Sequence, residues 1–296
     1  MSHVLTLVAP PGELHAAHVA EARDTLAAHG AAPGTPDWLA DDEAADLPFS
    51  GTDPARAAEA VRHALGSVDA IATPAECRRK RLLIADMDST IVTSETLDEL
   101  ADFAGLKDQI AAITRRSMNG ELDFSAALRE RVAMLHGLSL SALHATWERT
   151  VLMPGARALV RTMAAHGAHC ALASGGFTYF TSRVAAACGF HSHHANLLLD
   201  DGSALTGLVQ EPIFDRDAKL TTLKALAVGK GLPLDATLAV GDGANDLAMI
   251  GAAGLGVAYR AKPIVAAAAR ARVDRADLRA ILYAQGYRAA EIAPDD

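Results

Sequence analysis

The stretch Leu82-Leu83-Ile84-Ala85-Asp86-Met87-Asp88-Ser89-Thr90 decides the fold class of this chain. Four apolar residues that end abruptly in polar ones predict a strand buried on both faces, the habit of a central strand in a parallel sheet. Side chains alternate along a strand, so Asp86 and Asp88 leave it on the same side. In open α/β sheets ligands bind beyond the carboxyl ends of the strands, which is where these two carboxylates lie. An Asx turn or helix cap made by Asp88, Ser89 and Thr90 is the plainer reading, but a cap needs one short polar residue and not two acids carried on a buried strand.

Two further strand ends carry polar clusters. Residues 169–173 run into Ser174-Gly175-Gly176 ahead of a helical stretch at 177–187. Amides at such a helix start favour an anion and glycines let the main chain approach it, although a plain turn would read the same. Residues 237–240 run into Gly241-Asp242-Gly243-Ala244-Asn245-Asp246. The spacing is not G-x-G-x-x-G, and acids beside a pyrophosphate would repel it. They suit a hard cation such as Mg²⁺, with a glycine turn and capping acids as the alternative. Lys219 sits in the first turn of a helix at about 217–228, where a cation opposes the helix dipole; an anionic partner would justify it, and a solvated lysine is the alternative. Together these groups suit phosphoryl transfer. A phosphate dianion repels an aspartate nucleophile unless cations neutralise charge, and an ionised Asp can then attack phosphorus.

Around this centre the chain has 296 residues, half of them apolar, and a net charge of −9. The excess of acid argues against sequence-independent nucleic-acid binding. Cys77, Cys170 and Cys188 show no C-x-x-C spacing, which leaves a reducing cytoplasm as the default. The start lacks the basic flank and apolar run of a signal peptide. The uncharged stretch 162–182 is broken by His166, His169, Ser174, Gly175 and Gly176, so no membrane span is expected. Residues 4–9, 13–28, 36–49, 54–65 and 68–72 read in the order βαββαβ, which suits a small ferredoxin-like α+β domain over residues 1–76. Arg78-Arg79-Lys80-Arg81 then predicts a solvated linker. Residues 77–296 follow as an α/β unit, with a strandless helical insert at 95–152 expected to form a cap. His191-Ser192-His193-His194, after Cys188, lacks a second ligand pair at zinc spacing and is expected to be a surface turn. The tail 291–296 is expected to fray.

Residues 85–90 and 240–246 resemble the haloacid dehalogenase-like phosphohydrolase superfamily, and within it the branch acting on O-phosphoserine, over about residues 82–282. The resemblance implies a doubly wound parallel-sheet core, Rossmann-like, with an inserted helical cap and a bound Mg²⁺. It implies that Asp86 is the nucleophile and a metal ligand. Asp88 would protonate the leaving serine oxygen and later activate water, with its backbone carbonyl on the metal. Asp242 would be the third protein ligand. Ser174, Gly175, Lys219 and Asn245 would hold the phosphoryl group, with Thr90 and Asp246 supporting, Asp246 by orienting Lys219 or the metal's water shell. In the cap, residues 124–132 are similar to the family's cap helix, which makes Arg131 the group that binds the substrate carboxylate. Glu95 would bind the ammonium, and Met118 and Phe124 would close over the site.

The residues by themselves leave some of this open. Phe124, Leu128, Arg131 and Leu135 recur at helical spacing, so Arg131 falls on an apolar stripe where a charge needs a partner, either substrate or an internal salt bridge. Glu95 also reads as a first-turn acid capped by Ser94, and Met118 and Phe124 as plain core. The N-terminal segment only loosely resembles amino-acid-binding regulatory domains, and no ligand residues are assigned there. The expected activity is hydrolysis of O-phospho-L-serine to serine and phosphate through an aspartyl-phosphate, the last step of serine synthesis. Phosphoryl transfer to homoserine, another small phosphomonoester, and an amino-acid-responsive regulator with a vestigial core are the alternatives. The expected partner is a small-molecule substrate, with no nucleic acid, no membrane and a homodimer left open.

Overall fold

Leu82–Ala85 is buried along its whole length, as a strand paired on both sides must be. The computed structural model describes residues 2–119 and 121–296; the side chain of Met118 lies outside the described residues. The chain opens with β1 (His3–Val8), α1 (Ala16–Ala28), β2 (Ala32–Pro33), β3 (Asp37–Ala40), β4 (Ala44–Ser50), α2 (Pro54–Leu65) and β5 (Asp69–Pro74). These strands form an antiparallel sheet in the order β2-β4-β1-β5, with β3 also on β4. Helices α1 and α2 pack together on it. α2 starts where the Asp53 carboxylate accepts the Arg56 N–H (2.9 Å) and Pro54 takes the first position, which needs no N–H partner.

After β6 (Leu82–Ala85) come four helices without a strand among them, α3 (Thr96–Asp102), α4 (Lys107–Met118), α5 (Phe124–Ala133) and α6 (Ser141–Arg149). The chain then returns through α7 (Ala156–Ala165), β7 (His169–Phe177), α8 (Thr178–Cys188), β8 (Ser192–Asn196), the hairpin β9 (Leu198–Asp200) and β10 (Leu205–Val209), and α9 (Arg216–Gly229). It finishes with β11 (Thr237–Gly241), α10 (Leu247–Ala252), β12 (Leu255–Tyr259), α11 (Pro263–Ala268), β13 (Ala271–Val273) and α12 (Ala280–Ala284). Six parallel strands run in the order β13-β12-β11-β6-β7-β8. Chain order reverses at the neighbours β6 and β11, which is the switch point where such sheets open a crevice. No helix of the described residues is long and apolar enough to cross a membrane.

Several expectations are corrected. Ser174-Gly175-Gly176 does not form a turn after β7 but continues that strand to Phe177, because the Asn196 side chain on β8 donates to the Gly175 carbonyl (2.9 Å). His191–194 is no surface turn: β8 starts at Ser192, and its histidines pair with Thr181 and stack on Phe214. The hairpin β9–β10 had no sequence signal; it packs on α5. The basic run is not a solvated linker. Arg79 and Arg81 are exposed, but Arg78 donates to Asp46 (2.9 Å) and Lys80 is buried, donating to the Cys77 and Asp235 carbonyls (3.0 and 2.8 Å). The tail does not fray, since the Asp295 carboxylate accepts the N–H groups of Gly155 (2.7 Å) and Ala158 (3.0 Å) at the otherwise unsatisfied start of α7.

The two sheets share one seam. Asp69, buried at the start of β5, accepts the N–H groups of Asp274 (2.8 Å), Arg275 (3.0 Å) and Ala276 (2.9 Å) just beyond β13. Apolar residues of the first sheet, Val8, Leu39, Ala44 and Ile71, belong to the same core cluster as β6, β7 and α12. Asp69→Ala leaves those amides without their acceptor and is expected to cost about 3 kcal/mol of stability in urea denaturation, given about 1.5–3 kcal/mol for a hydrogen bond to a charged group. A loss under about 1 kcal/mol would mean that the seam does not depend on this carboxylate.

Candidate active site

Asp86 follows β6 directly, and its N–H donates to Val240 on β11 (3.0 Å), so the ends of the two strands are held side by side. Lys219, in the first turn of α9 and fully buried, lies 2.7 Å from Asp86 Oδ1 and donates to Asp246 Oδ1 (2.7 Å). The other Asp246 oxygen accepts the N–H groups of Asp242 (3.2 Å) and Gly243 (3.0 Å). Asp246 therefore orients Lys219 and shapes the loop after β11. Burial alone would depress the lysine pKa, but Asp246 and Asp86 outweigh it and raise it.

The carboxylate oxygens of Asp86, Asp242 and Asp246 approach within 4.8 Å of one another, all three residues being buried. Asp242 Oδ1 accepts from Thr90 Oγ1 (3.3 Å), whereas its Oδ2 and the Asn245 Oδ1 accept no hydrogen bond among the described residues. Burial, then Glu95 and Asp246, pushes Asp242 up to about 8, and burial with Asp246 raises Asp86 well above the carboxylate range despite Lys219. Acids this crowded favour a proton or a cation. With Asp246 fully engaged, Asp86 and Asp242 are the carboxylates with oxygen to spare, and an all-oxygen donor set of this kind fits a hard divalent cation.

Asp88 has a partner of its own. Its Oδ1 accepts the Thr96 N–H (2.9 Å) at the start of α3. Burial, reinforced by Glu95 and opposed by Thr96, brings it up to about 7, which suits a group that gives and takes a proton near neutrality. Ser174 is buried and its Oγ accepts the Gly176 N–H (2.9 Å). A Cβ on Gly176 would lie 2.7 Å from Asp88 Oδ2, and one on Gly175 would lie 2.5 Å from Cζ of Phe124. Only glycines let the β7 end approach both the acid and the cap.

From the cap, Glu95 occupies the N-cap position of α3 itself, so Ser94 does not cap it, and its carboxylate accepts from Ser89 Oγ (2.7 Å). Arg131 on α5 is buried; it donates to the Ala127 carbonyl (3.1 Å) and to Thr114 Oγ1 on α4 (2.9 Å), and Thr114 donates to Asp98 on α3 (2.6 Å). Among the described residues it has no ion-pair partner, so the internal salt bridge is absent and the guanidinium keeps capacity for an anion. Asp86, Asp88, Glu95, Phe124, Arg131, Ser174, Gly175 and Asn245 line one small space of about 20 Å³, room for about one water. Met118 ends α4, and its side chain lies outside the described residues.

Sequence reasoning missed Ser89, Thr96, Asn196 and the Thr114–Asp98 pair, whose partners lie 6 to 21 residues away and follow no regular helix or strand spacing. It also missed Lys262, whose Nζ lies 3.5 Å from Asp242 Oδ2; the strand-end rule applied to β12 would have found it.

Residues 83–251 match the haloacid dehalogenase-like hydrolase family. The phosphoserine phosphatase of Streptomyces coelicolor is 40% identical over 247 residues, 83% of this chain and 60% of that protein's length. A solved structure described as a phospho-aspartyl intermediate analogue of phosphoserine phosphatase superposes with a TM-score of 0.67 at 36% identity, covering 69% of this chain and 98% of that one. The unliganded probable phosphoserine phosphatase of Vibrio cholerae gives 0.74 at 32% identity, covering 96% of this chain and 87% of that one. The family match spans more than half of the chain and takes in the strands that carry Asp86, Ser174 and Asp242, and the chain therefore belongs to the haloacid dehalogenase-like hydrolases.

Proposed function

We propose that this protein is a phosphoserine phosphatase, hydrolysing O-phospho-L-serine to L-serine and phosphate. The observation that carries the reading is a buried arginine without an ion-pair partner, Arg131, lining the same small space as Asp86, Asp88 and Ser174. Asp86 attacks phosphorus, so that an Asp86–phosphoryl bond forms while the bond from phosphorus to the serine oxygen breaks. Asp88 gives its proton to that oxygen. It then takes a proton from the water that attacks the aspartyl-phosphate, releasing phosphate and restoring Asp86. Lys219 offsets the charge of the phosphoryl group, and Ser174, the Gly175 amide and Asn245 surround its oxygens.

In this reading Arg131 takes the serine carboxylate and Glu95 its ammonium, with Phe124 and Met118 closing over the apolar side. A Mg²⁺ held by Asp86, Asp242 and the Asp88 carbonyl would supply further neutralisation of phosphoryl charge. Thr90 supports this arrangement through Asp242. Residues 1–76 are proposed as a separate domain, and 77–296 as the phosphatase domain with its cap at 95–152. Three free thiols, one of them exposed at Cys77, are consistent with a reducing compartment, and the proposed location is the cytoplasm.

Phosphate release from L-phosphoserine, compared with phosphothreonine and p-nitrophenyl phosphate in Mg²⁺ and in EDTA, tests the reading: metal-dependent preference for phosphoserine is expected, and equal rates on all three would remove the substrate assignment. Adding homoserine and finding phosphohomoserine would instead favour the transferase. Asp86→Asn is expected to lower kcat by about four orders of magnitude, as removal of a nucleophile does, and retention of full activity would falsify the mechanism. Arg131→Ala is expected to lower kcat/KM for phosphoserine about 100-fold, the value of about 2.7 kcal/mol for a lost charge-assisted pair, while p-nitrophenyl phosphate changes less than about threefold. Metal-free protein provides a pH test. Asp88, Asp242 and Asp86 bind protons more tightly in the folded than in the unfolded chain, so rising pH favours unfolding. Its Tm in EDTA is therefore expected to fall from about pH 4 to about pH 8, and Mg²⁺ to restore more at the upper end. A Tm in EDTA that climbs over this window would contradict the charge assignment.

A further inference from the structure

Asp86, Asp88, Glu95, Asp242 and Asp246 gather at the ends of β6 and β11, and the buried ammonium of Lys219 is shared between two of them. A second ammonium approaches from β12. Lys262 precedes α11, and its backbone N–H donates to the Asp242 carbonyl (2.9 Å), so the residue is fastened to the same aspartate that its side chain faces. Its Nζ lies 3.5 Å from Asp242 Oδ2, an oxygen that accepts no hydrogen bond among the described residues. A cation at the N-terminal end of a helix opposes the helix dipole, so α11 does not account for it. Asp242 does.

The two lysines differ in freedom. Lys219 is fully buried between its carboxylates, whereas the Lys262 side chain is 35% exposed beside an Asp242 that is 4% exposed. A lysine on a flexible four-carbon stem with one face in water can leave at little cost. A divalent cation on Asp242 would lie within a few ångströms of this ammonium and repel it.

We propose that Lys262 is an exchangeable counter-ion for Asp242: it balances the acid cluster while no divalent cation is bound, is displaced when one binds, and thereby sets the affinity of the site for the cation. This rests on the metal reading of Asp86 and Asp242 above. Lys262 is a positioning residue in this scheme, and its charge also acts on Glu95.

The experiment is direct Mn²⁺ binding to chelator-stripped protein at pH 7.5, by electron paramagnetic resonance of the free ion or by calorimetry, for wild type, Lys262→Gln and Lys262→Arg. Lys262→Gln is expected to bind Mn²⁺ about tenfold more tightly, the scale for removing one competing charge about 4 Å away, and Lys262→Arg to stay within about threefold of wild type. The metal-free Lys262→Gln protein is expected to melt below wild type, with the gap closing as Mn²⁺ is added. Wild-type protein that takes up no Mn²⁺ would sink the metal reading and this proposal with it. Tight wild-type binding with an unchanged or weaker Kd in Lys262→Gln would overturn this proposal alone. A raised KM for phosphoserine with an unmoved Mn²⁺ Kd would overturn it as well, by making Lys262 a contact to substrate.

Discussion

The ammonium of Lys219, held without solvent between Asp86 and Asp246, is the interaction on which the rest of the catalytic end depends. An isolated charge at that depth would cost several kcal/mol, so α9, β6 and the loop after β11 are stable only in the arrangement that brings the three groups together. The same contacts shape the chemistry. Asp246 spends its second oxygen on the Asp242 and Gly243 amides, which turns the Asp242 carboxylate toward Asp86 and leaves the pair short of positive charge. A site in this condition gains stability from a cation and from an anionic ligand bound against it.

The cap repeats this logic on the substrate side. Arg131, Thr114 and Asp98 tie three helices into one hydrogen-bonded chain, and the guanidinium at its end forms no ion pair among the described residues. Burial holds Asp88 near neutrality on the other wall of the same small space. Asp86 and Asp88 beyond β6 and Arg131 on α5 therefore line one small space between the core and the cap. Far from this end, Asp69 and Arg78 join the first sheet to the second through buried charge-assisted hydrogen bonds, so the seam carries specific polar contacts as well as apolar ones.

What could be read in the sequence was local. The apolar run 82–85, the glycine-rich end at 241–246 and the long helical insert each carry their own periodicity, and the structure has β6, β11 and four consecutive helices there. The N-terminal middle strands read poorly because Asp46 is an acid inside a sheet, made tolerable by Thr6 and by Arg78 from 32 residues away. Arg78 was misread for the same reason: a basic run looks solvated until its acceptors are known. The tail 291–296 looks free because the helix start that Asp295 caps lies about 140 residues earlier.

The sequence by itself determined the ends of β6 and β11 and the types of group they carry, because a strand's burial and a side chain's chemistry are set by a few neighbouring residues; the end of β7 it did not. Tertiary structure alone decided which acid binds which cation. Asp246 can serve Lys219 or a metal's water shell, and the fold chooses the lysine; Lys262 meets Asp242 only because β12 lies beside β11. Both outcomes depend on electrostatic partners 20 or more residues apart in sequence and about 3 Å apart in space, a proximity that only the packed sheet creates.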